Sequence, residues 1–249
     1  MKQRGFTLIE LAIVLVLVTI LIGGLAMPLS AQIQARRIAE TKKTLEEARE
    51  AVLGFAMTHP IGATGKLHLP CPDISNDGLE DRGLGGPEAE CAAPSGLLPW
   101  VTLGAAAQDA WGNRLRYAVN AGEPSFAHSS AGFSTSTALV GALEICTTHT
   151  CATPVASDVV FVLLSDGPNS RGARNVNLPL GTATPSAPPD TGTNELENQD
   201  GDIRYVSSSP YKPADSSAIE AAKEFDDLVV WISRAHLIAR VCPTGCLPP

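Results

Sequence analysis

Apolar residues divide the chain into a first segment that is apolar on all sides and a longer remainder of mixed polarity. From residue 6 to residue 29 the only charged side chain is Glu10. As a helix, a segment of this length would rise about 36 Å, which is enough to cross a bilayer. The pattern therefore predicts a long helix whose first half crosses a membrane.

Between residues 29 and 58 the pattern becomes amphipathic. Side chains of one face recur at spacings of three and four, and they are Ile38, Thr41, Leu45, Ala48, Val52 and Phe55. This spacing predicts that the helix continues, with one stripe packed against a globular body and the other in solvent. Pro60 ends it, because proline disfavours the helical conformation in the residue before it.

The remainder predicts a sheet with short helices at its end. Strand candidates rich in β-branched and aromatic residues cover 114–119, 138–146, 159–164, 203–207 and 228–232. Short helices are expected over 218–225, capped by Ser216 or Ser217, and from Ser233 to residue 240. Residues 61–100 predict an irregular connecting loop and 179–194 a mobile surface loop. The fold class is α+β, with the long helix packed on an antiparallel sheet.

Composition and charge narrow the functional classes. The net charge of −8 repels phosphate backbones, which argues against nucleic-acid binding by bulk electrostatics. The sequence has no Gly-x-Ser-x-Gly elbow, no phosphate-binding loop and no metalloprotease spacing of histidines. We therefore assign no catalytic residue and no cofactor, and we expect that the protein is not an enzyme.

Six cysteines fall into three neighbouring pairs. In an exported protein an even number of cysteines predicts a disulfide framework. We favour the sequential pairing, because each bond then encloses a short, turn-rich loop: Cys71–Cys91, Cys146–Cys151 and Cys242–Cys246. The alternative is a zinc site made by the two closely spaced pairs.

An acidic run follows the first cysteine. Oxygen-bearing side chains at Asp73, Ser75, Asp77 and Asp81, with Gly78 at the sixth position, resemble the start of a calcium loop. The twelfth position is Leu84, where an EF-hand requires glutamate. The run is therefore either a weak calcium site or an acidic, solvated turn.

Glu10 is the unusual residue of the apolar segment. A carboxylate at the centre of a bilayer costs roughly 2.5 to 3.5 kcal/mol unless it has a partner. The next basic residue along the chain is Arg36. An ordinary anchor or a cleaved secretory signal does not explain this carboxylate, so its partner must come from elsewhere.

The residues around Glu10 match a known processing motif. The run GFTLIE at residues 5–10, preceded by Lys2 and Arg4, resembles the cleavage and methylation motif of the type IV pilin superfamily, which includes the pseudopilins of type II secretion. The resemblance implies cleavage between Gly5 and Phe6 by a prepilin peptidase and N-methylation of Phe6. It also implies that Glu10 pairs with the Phe6 amine of a neighbouring subunit during assembly.

The resemblance also implies an organisation and a function. Residues 1–5 would be the leader, 6–58 the transmembrane and amphipathic helix, and 59–249 a periplasmic or extracellular head on a single-pass inner-membrane protein. The expected function is that of a minor pilin or pseudopilin, whose partners are the prepilin peptidase and other filament subunits. The alternatives are an adhesive module at a filament tip and an enzyme tethered by the helix.

Overall fold

The computed structural model describes residues 7–61, 66–84, 89–120, 126–127, 139, 141–176, 193–215 and 217–243, with the side chains of 22–28 and 61 outside the description. The helices and strands, in chain order, are α1 Leu8–Thr58, β1 Pro60–Ile61, β2 Lys66–Leu67, β3 Ser95–Leu97, α2 Trp100–Leu103, β4 Arg116–Val119, β5 Leu143–Cys146, β6 Ala156–Ser165, α3 Asn194–Glu197, β7 Arg204–Val206, α4 Ala218–Ala221, β8 Leu228–Ser233 and α5 Arg234–Val241.

The long amino-terminal helix is present, and it is one continuous element of 51 residues. The chain divides into two compact units within it, residues 1–40 and residues 41–249. The sequence predicts that the first half of α1 crosses a membrane. Among the described residues, no helix combines the length and the apolar character that a membrane crossing requires.

The predicted amphipathic stripe belongs to the second unit from Thr41 onward. Leu45, Ala48 and Val52 are at most 1% exposed, and Thr41 is fully buried, whereas Ile38 in the first unit is only half-buried. The helix is held by contacts that are distant in sequence. The amide of Ala110 donates to the Thr41 hydroxyl at 3.1 Å, and Arg240 of α5 lies 3.2 Å from Glu50.

Strand β6 is the centre of the sheet, and seven of its ten residues are buried. It pairs antiparallel with β4, β5 and β8. Val159 is paired with Leu143 of β5 and with Ser233 of β8, so β5 and β8 lie on opposite edges of β6. Residues 161–164 are paired with β4 and β8, which places β4 on the same edge as β5.

Strands β4 and β5 therefore lie end to end, and each carries one further strand. β3 pairs with β4, and β7 pairs with β5. The β5–β7 pair is parallel, so the prediction of an antiparallel sheet is wrong for this pair. The reason is that the chain passes through β6 between β5 and β7, and a crossover of this kind returns the second strand in the same direction.

Most predicted elements occur within a few residues of their expected bounds. The strand expected over 138–146 begins only at Leu143, because Gly141 adopts a left-handed conformation with a φ of 61°. Serine capping is confirmed at two helices: the hydroxyls of Ser217 and Ser233 accept from the amides of Glu220 and His236. A mobile loop is expected at 179–194. Residues 179–192 of it lie outside the described residues.

Candidate functional site

Thr7 and Glu10 cap the start of α1 through three reciprocal hydrogen bonds. The amide and hydroxyl of Thr7 donate to Oε2 of Glu10 at 2.8 Å and 2.7 Å, and the amide of Glu10 donates back to the Thr7 hydroxyl at 3.3 Å. This is a capping box, in which Ser or Thr and an acid three residues later satisfy free amides at a helix start. Gly5 and Phe6, the predicted cleavage and methylation residues, lie outside the described residues.

The first turns of α1 expose an unusually large apolar surface. Leu8 is 87% exposed, Ile9 68% and Ile20 65%, and every described side chain from residue 7 to residue 21 is exposed. A helix that is apolar on all sides is normally buried by protein or lipid. The chain by itself supplies no cover for this segment among the residues described.

Comparison with known protein families decides what this amino terminus is. A family model described as the prokaryotic N-terminal methylation motif matches residues 1–26. The amino terminus is a prepilin-type methylation motif. The methylation motif includes Gly5, Phe6, Thr7 and Glu10 and ends inside α1. No curated protein and no solved structure matches the chain.

Glu10 lies inside the methylation motif, and in the structure it caps its own helix. Its carboxylate is not free in the single chain, because it is held by Thr7. Sequence reasoning assigned Glu10 only to a neighbouring subunit and missed the cap. The signal was present as a threonine followed three positions later by a glutamate.

Two disulfides are visible in the second unit. Cys71 is bonded to Cys91 with their Cα atoms 5.2 Å apart, and Cys146 is bonded to Cys151 with a Cα separation of 5.3 Å. Both pairs agree with the sequential pairing. Cys242 is also disulfide-bonded, and its expected partner Cys246 lies outside the described residues. The zinc alternative is wrong, because Cys146 and Cys151 are already bonded to each other.

The acidic run after Cys71 forms a tight loop in which main-chain amides use the carboxylates. Asp73 is 1% exposed and accepts from the amides of Asn76 at 2.6 Å and Gly78 at 2.8 Å. Asp81 accepts from the amides of Ile74 and Ser75. The oxygens that a calcium ion would need already serve as loop caps, which favours the turn interpretation.

The three tryptophans lie in partly buried positions. Trp100 lies over Gly78 and is stacked by Arg114, whose guanidinium carbon is 5.2 Å from the ring. Trp231 packs against the cluster of buried side chains around β6. Trp111 is half-buried. These contacts are those of packing residues.

A cluster of buried carboxyl groups that sequence analysis did not predict lies at the carboxyl end of β6. Asp166 is fully buried and pairs with Arg116, whose Nε lies 2.8 Å from it; burial nevertheless raises the pKa of Asp166. Asp227 is 5% exposed, and burial raises its pKa well above the usual range. Sequence reasoning missed both positions, because their burial depends on contacts distant in sequence.

Three carboxyl groups of this region approach each other closely. Oxygens of Glu195, Asp226 and Asp227 lie within 4.8 Å of one another. Asn169 donates to Glu195 at 2.8 Å, and Asn198 donates to Asp227 at 2.8 Å. Burial, followed by the charge of Glu195, raises the pKa of Asp226 to about 7. Asn169 and Asn198 supply amide donors to the cluster, and burial raises the pKa values of its carboxyl groups.

Proposed function

We propose that this chain is a subunit of a type IV pilin-like filament and acts as a minor pilin or pseudopilin. The observation that carries the proposal is the methylation motif at residues 1–26. The precursor is held at the inner membrane by the apolar half of α1, with residues 59–249 on the periplasmic side. A prepilin peptidase cuts it between Gly5 and Phe6, and Phe6 is then N-methylated.

The exposed apolar surface supports assembly through α1. Burying a fully exposed Val, Leu or Ile side chain contributes about 1.5 to 3 kcal/mol, and eleven residues of these types between positions 8 and 21 are 41% to 87% exposed. A bundle of identical helices provides a cover for all faces at once. In this arrangement the new amino group of Phe6 supplies the cation that Glu10 lacks within its own apolar segment.

The proposal gives Glu10 two successive partners. In the single chain Glu10 accepts from Thr7, and in the filament it accepts from the Phe6 amine of the neighbour. A charged pair in an apolar surrounding is favourable only when both members are present. The pairing therefore fixes the axial position of one subunit relative to the next.

The direct test is the chemistry of the mature amino terminus. Intact mass of the native protein should show loss of residues 1–5 and addition of one methyl group at Phe6. A Gly5→Val variant should keep its leader and fail to enter filaments, whereas Gly54→Ala, a helix position with open space around it, should be processed normally. A wild-type protein that retains residues 1–5 in its native host would refute the proposal.

A further inference from the structure

A small cavity lies where the outer row of the sheet is interrupted. β3 pairs with β4 and β7 pairs with β5, so the outer row consists of two strands with a gap between them. The cavity has a volume of about 120 Å³, and β4 and β6 contribute Ala118 and Val162 to it. A volume of this size holds about four water molecules, so any ligand group that enters it is small.

Three hydrogen-bond donors line this cavity and have unused capacity. Arg116 donates through Nε to Asp166 and through Nη2 to the carbonyl of Gly172, both at 2.8 Å, which leaves Nη1 without a described partner. The hydroxyls of Tyr205 and Ser95 also have no hydrogen-bond partner among the described residues, and Tyr205 is 4% exposed. Arg116 and Ser95 are half-buried, and donors with unused capacity in a partly enclosed cavity favour a ligand that brings acceptors.

The other polar residues of the cavity wall are already engaged. Asn198 exchanges hydrogen bonds with both main-chain groups of Val206, and Gln199 donates to Asp166 and to the carbonyl of Arg171. Asn198 and Gln199 therefore stabilise the cavity wall. Arg116, Tyr205 and Ser95 are the side chains that can select a ligand. These three side chains come from β4, β7 and β3, so the fold of the sheet itself brings them together.

We propose that this cavity binds a single carboxylate group. A carboxylate carries two acceptor oxygens with about four lone pairs, which matches one guanidinium nitrogen and two hydroxyls. Asp200 and Asp202 flank Gly201 at the rim and are exposed. Their charges act against any anion, and they act more strongly against phosphate and other polyanions than against a single carboxylate. This binding activity goes beyond the filament role and does not depend on it.

The carboxylate has two possible sources, a free small organic acid or the carboxyl terminus of a peptide chain. Saturation-transfer NMR on the full chain in detergent can separate them, with acetate, acetamide, N-acetyl-Ala-Ala and the carboxamide of the same dipeptide as probes and inorganic phosphate as a competitor. We expect binding of acetate, of the free-carboxylate peptide, or of both, no binding of acetamide or of the carboxamide peptide, and no displacement of a bound carboxylate by inorganic phosphate. Binding of acetate alone identifies a free acid, and binding of the peptide alone identifies a chain terminus.

The variants remove one donor without disturbing the fold. Tyr205→Phe and Ser95→Ala each delete a hydroxyl that has no described partner, and each should weaken binding about three- to tenfold. Arg116 is kept, because its loss would leave Asp166 buried without its cation. Tyr211→Phe is the matched control, since Tyr211 lies outside the cavity and its hydroxyl contacts Glu220. Equal binding of acetamide and acetate, absence of binding by every carboxylate, or binding unchanged in both cavity variants would overturn the proposal.

Discussion

The hydroxyl of Thr7 lies 2.7 Å from Oε2 of Glu10, and the Thr7 amide donates to the same oxygen. The residue for which we propose a role in assembly therefore also caps the first turn of its own helix. In the proposed filament, pairing of Glu10 with the neighbouring subunit would break this cap, so that contact must be more favourable than the cap. Capping contributes about 1 kcal/mol, and a charge-assisted contact in an apolar filament core exceeds it.

Substitutions at these two positions should separate capping from assembly. Thr7→Val deletes the hydroxyl and keeps the β-branched shape, so the variant should still enter filaments at a level close to that of the wild type. Glu10→Gln keeps an acceptor for the cap but removes the charge, so its filament incorporation should fall several-fold. The measurement is the amount of protein in sheared, sedimented filaments. A Gln variant that assembles like the wild type would contradict the charged pairing.

Gly78 should be intolerant of any side chain. Its φ is 85°, and an added Cβ would lie 2.5 Å from the ring of Trp100 and 2.6 Å from Val101. Gly78→Ala should therefore lower the free energy of unfolding by about 2 kcal/mol or more, from backbone strain and displacement of the ring. Urea unfolding followed by tryptophan fluorescence measures this loss.

Gly54 provides the matched control in the same chain. It lies in α1, and a Cβ added at this position would meet nothing within 4 Å. Gly54→Ala should increase stability by about 0.5 to 1 kcal/mol, because alanine loses less conformational freedom in a helix than glycine does. A similar loss of stability in both variants would show that the positive φ and the Trp100 contact do not set the cost at Gly78.

The two visible disulfides should contribute unequally to stability. The Cys71–Cys91 bond spans 20 positions of sequence and the Cys146–Cys151 bond spans five. On loop-closure entropy alone, removal should cost about 3 kcal/mol for the first and about 2 kcal/mol for the second. Paired cysteine-to-serine variants, compared by chemical unfolding, test this order. The reverse order would show that native contacts of the short loop outweigh the entropy of the unfolded chain.

The features that the sequence predicts best are those that depend on the spacing and type of neighbouring residues. The buried stripe from Thr41 to Phe55 and the serine caps at Ser217 and Ser233 follow from spacing and residue type. β3 has no comparable pattern: its sequence is Ser-Gly-Leu, and it is a strand because β4 pairs with it. No local rule indicates such an element.

The candidate sites also differ in whether local sequence pattern predicts them. Thr7 and Glu10 are recognisable from spacing alone, since a cap is a contact within one turn of helix. Asp166 and Asp227 give no local signal, because their neighbours in the fold are far apart in the sequence: the hydrogen bond from Arg116 to Asp166 spans 50 positions and that from Asn198 to Asp227 spans 29. The cavity between β3 and β7 cannot be predicted from local sequence either. It forms only where the β3–β4 and β5–β7 pairs come together in the folded sheet.

The buried carboxyl groups should make stability fall as the pH rises from acid to neutral. The pKa of Asp226 is raised to about 7 in the folded chain, against an ordinary value near 4. Between about pH 4 and pH 7 the folded state therefore holds a proton that the unfolded state has released. The stabilisation that this proton contributes is fully present below about pH 4. It is lost as the pH rises through about 7. Burial raises the pKa values of Glu195 and Asp227 as well, which acts in the same direction.

Asp226→Asn tests this assignment, because asparagine imitates the protonated acid and no longer titrates. Thermal unfolding of the full chain in detergent at pH 5 and at pH 7.5 should show a smaller difference between the two pH values in this variant than in the wild type. The change should be on the order of 1 kcal/mol, since partial exposure of Asp226 screens the effect. Asp215→Asn removes one negative charge at an exposed site and should leave the difference between the two pH values intact. An equal response of both variants would mean that net charge, and not burial at Asp226, governs the pH dependence.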